Sequence, residues 1–133
     1  MGRRGARVLS GATLDAGALI AFERNRRVVA SLVARALERA DRLSVPAGVV
    51  SQVWRDGRRQ VRLVRLLGSP VCDVVPLDDA TARAVGQICG ATGTADVVDA
   101  SVVQCARQRS QPIVTSDPDD LRRIDPTVTL ITV

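Results

Sequence analysis

Four aspartates stand where the chain's pattern changes from apolar strand to helix, and their chemistry is the first thing the sequence offers. Asp15 closes the run ATLD ahead of AGALIAF, and Asp117 follows IVTS directly. Asp96 and Asp99 lie in ADVVDASVV, three apart at the start of an expected helix, so both project from one face. If the fold gathers these carboxylates, they repel one another and each raises its neighbours' pKa. A divalent cation relieves that repulsion, and hard Mg²⁺ or Mn²⁺ suits a set of oxygen ligands. An ion held there can activate water, polarise a phosphodiester and stabilise the leaving oxygen.

Each acid also has a plainer use. Asp15 could cap the helix that follows it, and Asp96 sits where a helix dipole favours a negative charge. Asp117 could cap the helix begun by DPDDLRR. Asp99 lies between the apolar Val98 and Val102, which is a less natural place for a solvated charge. Asp73, Asp78, Asp79, Asp119, Asp120 and Asp125 read as caps or solvated charges.

What the chain lacks narrows the chemistry further. Among its 133 residues there is no histidine and no tyrosine, and all 19 basic residues are arginine. Histidine acid–base catalysis, a Ser-His-Asp triad, a lysine Schiff base and a Walker lysine are thereby excluded within the chain. Serine, threonine and cysteine remain without a side-chain base to activate them. Cys72, Cys89 and Cys105 are an odd number with no CxxC spacing, and they read as reduced core residues. Carboxylates acting through a metal are what is left.

A net charge of +5 favours a polyanionic partner. Trp54 and Phe22 are the only aromatic residues, so a base-stacking platform is not expected and nucleic acid would be held through its phosphates. No apolar run approaches the roughly eighteen residues of a membrane span. The basic and apolar N-terminal segment is broken by Asp15 and reads as the first strand and helix of a cytosolic protein rather than a leader.

The elements that must position the acids alternate. Strands are expected over Ala6–Leu14, Leu43–Val45, Cys72–Val75, Pro112–Thr115 and Val128–Val133. Helices are expected over Gly17–Glu23, Arg27–Asp41, Val49–Arg55, Arg58–Leu67 and from Asp78, as N-cap, to about Cys89, with GATGT as a loop. Two more helices run over Asp96–Arg109 and from Ser116-Asp117 to Arg122. This alternation predicts one α/β domain over residues 1–133, with a mostly parallel sheet covered on both faces and ligands beyond the carboxyl ends of its strands.

The acidic segments in order, TLDAGALIA, VPAGVVSQVWRDGRRQVRLVRLL, ADVVDASVVQCA and IVTSDPDDL, resemble a PIN domain along nearly the whole chain, most closely the VapC-type toxins. That resemblance implies an α/β/α sandwich and an endoribonuclease dependent on Mg²⁺ or Mn²⁺. It also implies a cytoplasmic homodimer neutralised by a cognate antitoxin, with RNA as substrate. Asp15, Asp99 and Asp117 match the family's recurrent acidic positions, and Asp96 matches an additional acid one turn earlier. Where the family usually has a glutamate, this sequence has Gln52, which offers a neutral oxygen but no charge for a metal. Gln52, Thr115 and Ser116 are candidates to support the acids.

Arg55, Arg58, Arg59, Arg62 and Arg65 would share about a third of a helix circumference if the helix runs on past Gly57. Such a stripe could contact phosphates, dock an acidic antitoxin segment, or be a solvated face. Arg3, Arg4 and Arg7 read as a basic tail. Two further readings stand beside the ribonuclease: a PIN-like module that binds RNA or antitoxin without cutting, kept open by Gln52, and a receiver- or phosphatase-like domain using Asp15 as phosphoacceptor. The missing lysine speaks against the latter.

Overall fold

The computed structural model describes residues 11–133. The expected start of the first strand at Ala6 and the Arg3, Arg4 and Arg7 cluster lie outside the described residues.

Five strands form one all-parallel sheet: β1 (Ala12–Leu14), β2 (Leu43–Pro46), β3 (Cys72–Val75), β4 (Ile113–Thr115) and β5 (Leu130–Thr132). Their order is β3-β2-β1-β4-β5. The chain thus builds outward from β1 in one direction, then returns to β1's other side with β4. The reversal leaves a crevice at the carboxyl ends of β1 and β4. β1, β2 and β4 are buried at every position, as strands covered on both faces must be, while the edge strands β3 and β5 are partly open.

Among the described residues seven helices cover the sheet: α1 (Ala16–Glu23), α2 (Arg27–Arg39), α3 (Ala47–Val53), α4 (Val61–Leu67), α5 (Asp79–Thr92), α6 (Val97–Arg109) and α7 (Pro118–Ile124). The two-residue side-chain period sorts the strand residues between two layers. Thr13 donates to Gln111 Oε1 at 2.9 Å and lies 3.7 Å from Cys105 Sγ of α6, and Ser44 accepts from Arg109 of α6 at 3.1 Å. Ala12 and Leu43 face the other way, toward Leu32 and Ala36 of α2. The result is an α/β/α sandwich whose core is largely aliphatic, with Leu14, Leu19, Leu43, Leu63, Ile113 and Leu121 fully buried. At about 25 cal/mol per Å² of apolar surface, each of these leucines contributes on the order of 2 kcal/mol.

Several boundaries differ from expectation for local reasons. α5 continues through Gly90 to Thr92, whose Oγ1 donates to the Ile88 carbonyl at 2.8 Å, and ends only at Gly93, which takes the left-handed φ of 78°. β2 includes Pro46, whose missing N–H is harmless at a strand end.

The largest correction concerns the arginines. The helix does not run on past Gly57: α3 ends at Val53 and α4 begins at Val61. The buried Gln60 closes the gap. Its Oε1 accepts from the Arg55 and Asp56 backbone N–H groups at 2.8 and 3.0 Å, and its Nε2 donates to Val53 O and Glu23 Oε1 at 2.8 and 3.0 Å. Arg55, Arg58 and Arg59 therefore lie on a turn, and only Arg62 and Arg65 are helical. Arg55 folds back onto the Ser51 and Trp54 carbonyls, and Arg62 donates to Asn25 Oδ1 at 3.0 Å.

Candidate active site

Asp15 follows β1 while its backbone is still extended, at φ −89° and ψ −178°. It therefore continues the alternation of Thr13 and projects toward α6. Its Oδ1 accepts from Ala18 N–H at 2.8 Å, capping α1, and the residue is only 6% exposed. Burial raises its pKa, and the nearby Asp117 charge adds to that. Hydrogen bonds from the Thr115 hydroxyl and the Ala18 and Gly17 N–H groups pull the other way without cancelling the rise.

Thr115, at the end of β4, is fully buried. Its Oγ1 accepts from the Asp117 N–H at 2.9 Å, and the hydroxyl stands near enough to Asp15 to favour the ionised carboxylate. Asp117 itself is exposed and makes no side-chain cap to α7. Its pKa is raised, first by a hydrogen bond with the Asp120 carboxyl and then by desolvation and by the charges of Asp120 and Asp119.

The third part of the site is the start of α6, which packs on β2, β1 and β4. Asp96 is its N-cap, with Oδ1 accepting from Asp99 N–H at 2.9 Å. Asp99, in the first turn, is half-buried. Its burial, the charges of Asp96, Asp15 and Asp120, and a hydrogen bond that its protonated carboxyl donates to Asp96 push its pKa up to about 7. The plain reading of Asp96 as a cap is correct, and it is compatible with a role in the site because a carboxylate has two oxygens.

Asp120, read from the sequence as a cap or solvated charge, is on the first turn of α7 with its side chain 46% exposed, and it also lines a concavity of about 350 Å³ with Asp96, Asp99, Thr94 and Arg123. The acidic run after IVTS carried a usable signal: Asp120 is three residues from Asp117, so the two share a helix edge. Asp15, Asp96, Asp99, Asp117 and Asp120 thus lie at this end of the sheet, and among the described residues Arg123 pairs with Asp120 there at 2.7 Å.

The acids share one region but do not close around a point. Among the described residues no group of three His, Cys, Asp or Glu side chains stands close enough to hold a metal ion. Asp15 and Asp96 each give one oxygen to a backbone N–H, which leaves each a second oxygen. The donor set nevertheless fits a hard divalent cation in kind, being all oxygen and short of positive charge.

Gln52 is exposed on α3. It lies one turn beyond Gly48, where a Cβ would touch Val98 of α6 at 3.5 Å, so it belongs to the helix face nearest the start of α6. Ser116 is exposed and packs on Gly17 of α1. Asp73 is held by Arg42 and by Arg109 at 3.0 Å, and the buried Asp125 by Arg107 at 2.8 Å, so both are structural. Asp78 caps α5 as expected.

Residues 12–126 match the family model described as PIN domain. The chain belongs to the PIN-domain family. PIN domains are generally nucleases. No curated protein sequence matches the chain. Among solved structures, this PIN domain is similar to FitAcB from Neisseria gonorrhoeae, with 22% identity over 91% of this chain and 96% of that one and a TM-score of 0.60. It is also similar to FitAB bound to the IR36 DNA fragment, with 22% identity over 91% and 94% of the two chains and a TM-score of 0.59. At that identity the likeness is one of fold. Among the described residues no helix is long and apolar enough to cross a membrane.

Proposed function

We propose that this PIN domain is a metal-dependent endoribonuclease and the toxin half of a VapC-type toxin–antitoxin pair. The observation that carries the reading is the proximity of Asp96 and Asp15 to Asp99, and of Asp117 to Asp15, at the carboxyl ends of β1 and β4, with Asp120 beside them and, among the described residues, Arg123 lining the same concavity. The raised pKa values of Asp15, Asp99 and Asp117 support it, because a site that is costly to ionise when empty is one that a cation stabilises.

Asp15, Asp96, Asp99 and Asp117 would hold Mg²⁺ or Mn²⁺, which when bound supplies Lewis-acid activation of water and of the phosphodiester. The chain's own part is to keep the acids in place. Thr115 orients Asp15 and fixes the backbone of Asp117. Asp96 caps the first turn of α6, and Asp120 stands beside Asp117. The toxin role, a cognate antitoxin as partner, RNA as substrate and a homodimeric state in the cytoplasm belong to the same proposal and rest on the family resemblance.

The test is cleavage of a mixed-sequence RNA by the purified chain with Mn²⁺ and with EDTA, beside Asp15→Asn. Cleavage confined to wild type with Mn²⁺ supports the proposal. Cleavage that survives in EDTA or in Asp15→Asn contradicts it.

A second reading is favoured by Gln52, which leaves the α3 side of the site without a charge. In that reading the domain binds RNA or antitoxin and does not cut. Wild type without activity, and Gln52→Glu with Mn²⁺-dependent activity, would select it.

A further inference from the structure

Any polyanion that reaches the acidic crevice is repelled by it, so the groups that hold the chain must lie alongside rather than within. Arg123 is a poor candidate, since Asp120 engages it. The turn arginines are partly occupied as well: Arg55 by backbone carbonyls and Arg59 by Asp56 at 3.9 Å.

A second group of arginines stands at the corner between α1 and α2. Arg24, Arg26 and Arg27 are all exposed and line one groove of about 440 Å³. None of the three forms an ion pair among the described residues. The first ten residues contain no acid that could supply one. The corner is also fixed in place. Asn25 takes the left-handed region at φ 57° and accepts from Arg62, and the Arg24 and Arg26 N–H groups bond to Ile20 and Ala21 carbonyls at 3.0 and 2.9 Å. With the backbone of the corner set in advance, an anion that binds orders the three side chains but not the chain that carries them.

The groove reaches the chain neighbours of two site carboxylates. Its lining includes Ser116, the residue before Asp117, and Gly17, two residues after Asp15. Resting on the nuclease reading above, we infer that Arg24, Arg26 and Arg27 form the phosphate track that carries single-stranded RNA to the crevice. The exposed Ile20 and Val28 beside them give sugar and base faces an apolar surface to lie against. The contact is to the backbone and carries no base sequence.

The test is binding of a fluorescein-labelled mixed-sequence single-stranded RNA of about twenty nucleotides to the full chain in EDTA, as a function of salt. Each lost contact to single-stranded RNA lowers the slope of log K against log salt by about 0.7, so Arg24→Gln/Arg26→Gln/Arg27→Gln should lower it by about two. Affinity at low salt should fall roughly tenfold, with the melting temperature unchanged. Arg55→Gln/Arg58→Gln/Arg59→Gln, at a similar charge, should have the smaller effect. Equal slopes for wild type and the first triple variant would overturn the inference. So would an acidic helical peptide that binds in a manner dependent on these three arginines while RNA binding is indifferent to them, since the groove would then belong to a polypeptide. Because binding is read without metal, loss of the slope change and loss of cleavage are separate results: an RNA-binding track on an inactive domain overturns only the nuclease reading.

Discussion

A Cβ on Gly17 would stand 2.0 Å from Ser116 Oγ and 3.2 Å from Ser116 Cβ. The first turn of α1 and the loop after β4 therefore meet at a point where only glycine fits, and that point lies between Asp15 and Asp117. Gly17→Ala should force Ser116 to turn and push the Asp117 loop outward, at a cost of about 1–3 kcal/mol for overpacking. Alanine's better helix propensity offsets up to about 1 kcal/mol of that. Ser116→Ala in the same chain removes the colliding oxygen. Thermal melts should therefore place the double variant above Gly17→Ala and near wild type, and equal melting of the two alanine-17 chains would contradict the contact.

Asp99 makes the metal-free protein sensitive to pH in a defined direction. Its pKa of about 7 when folded exceeds the ordinary 3.8. Between those values the folded state keeps a proton that the unfolded state has lost. The corresponding stability is fully present below about pH 4 and is lost as pH rises through about 7. In EDTA, Asp99→Asn should be more stable relative to wild type at about pH 8.5 than at about pH 5. Denaturant midpoints would check this, and a gap that narrows with rising pH would contradict it. Because Asp99 titrates with its neighbours, the transition should be broad.

Gln60 makes four hydrogen bonds that close the turn between α3 and α4 and fasten it to Glu23 of α1. Gln60→Ala leaves two N–H groups and a carbonyl without these partners, and should cost roughly 2–3 kcal/mol. The melting temperature should fall by about 8 °C, measured by circular dichroism. A change under about 2 °C would mean that water replaces the amide at little cost.

These features mark where the sequence was readable. The alternation of strand and helix was legible because β1, β2 and β4 are short apolar runs and α2 and α6 carry clear cap or amphipathic signals. Asp15 and Asp117 were legible because each directly follows such a run. Asp120 was not, since an acid in a first helical turn is also what the dipole favours, and only tertiary packing turns it toward Asp96 and Asp99. The arginine stripe failed for a related reason. Gln60 looks like any polar helical residue, and its clamp depends on Glu23, far away in sequence. Arg24, Arg26 and Arg27 gave no periodic signal because they sit on a turn.

The central claim is that the crevice carboxylates form a cation site. Calorimetric titration of Mn²⁺ into wild type and Asp99→Asn, at a pH above 7 where Asp99 is ionised, tests it most directly. Saturable binding to wild type, with affinity lowered at least tenfold in Asp99→Asn, is the result expected when one of four oxygen ligands loses its charge. No heat of binding in wild type, or equal binding by both proteins, would contradict the account.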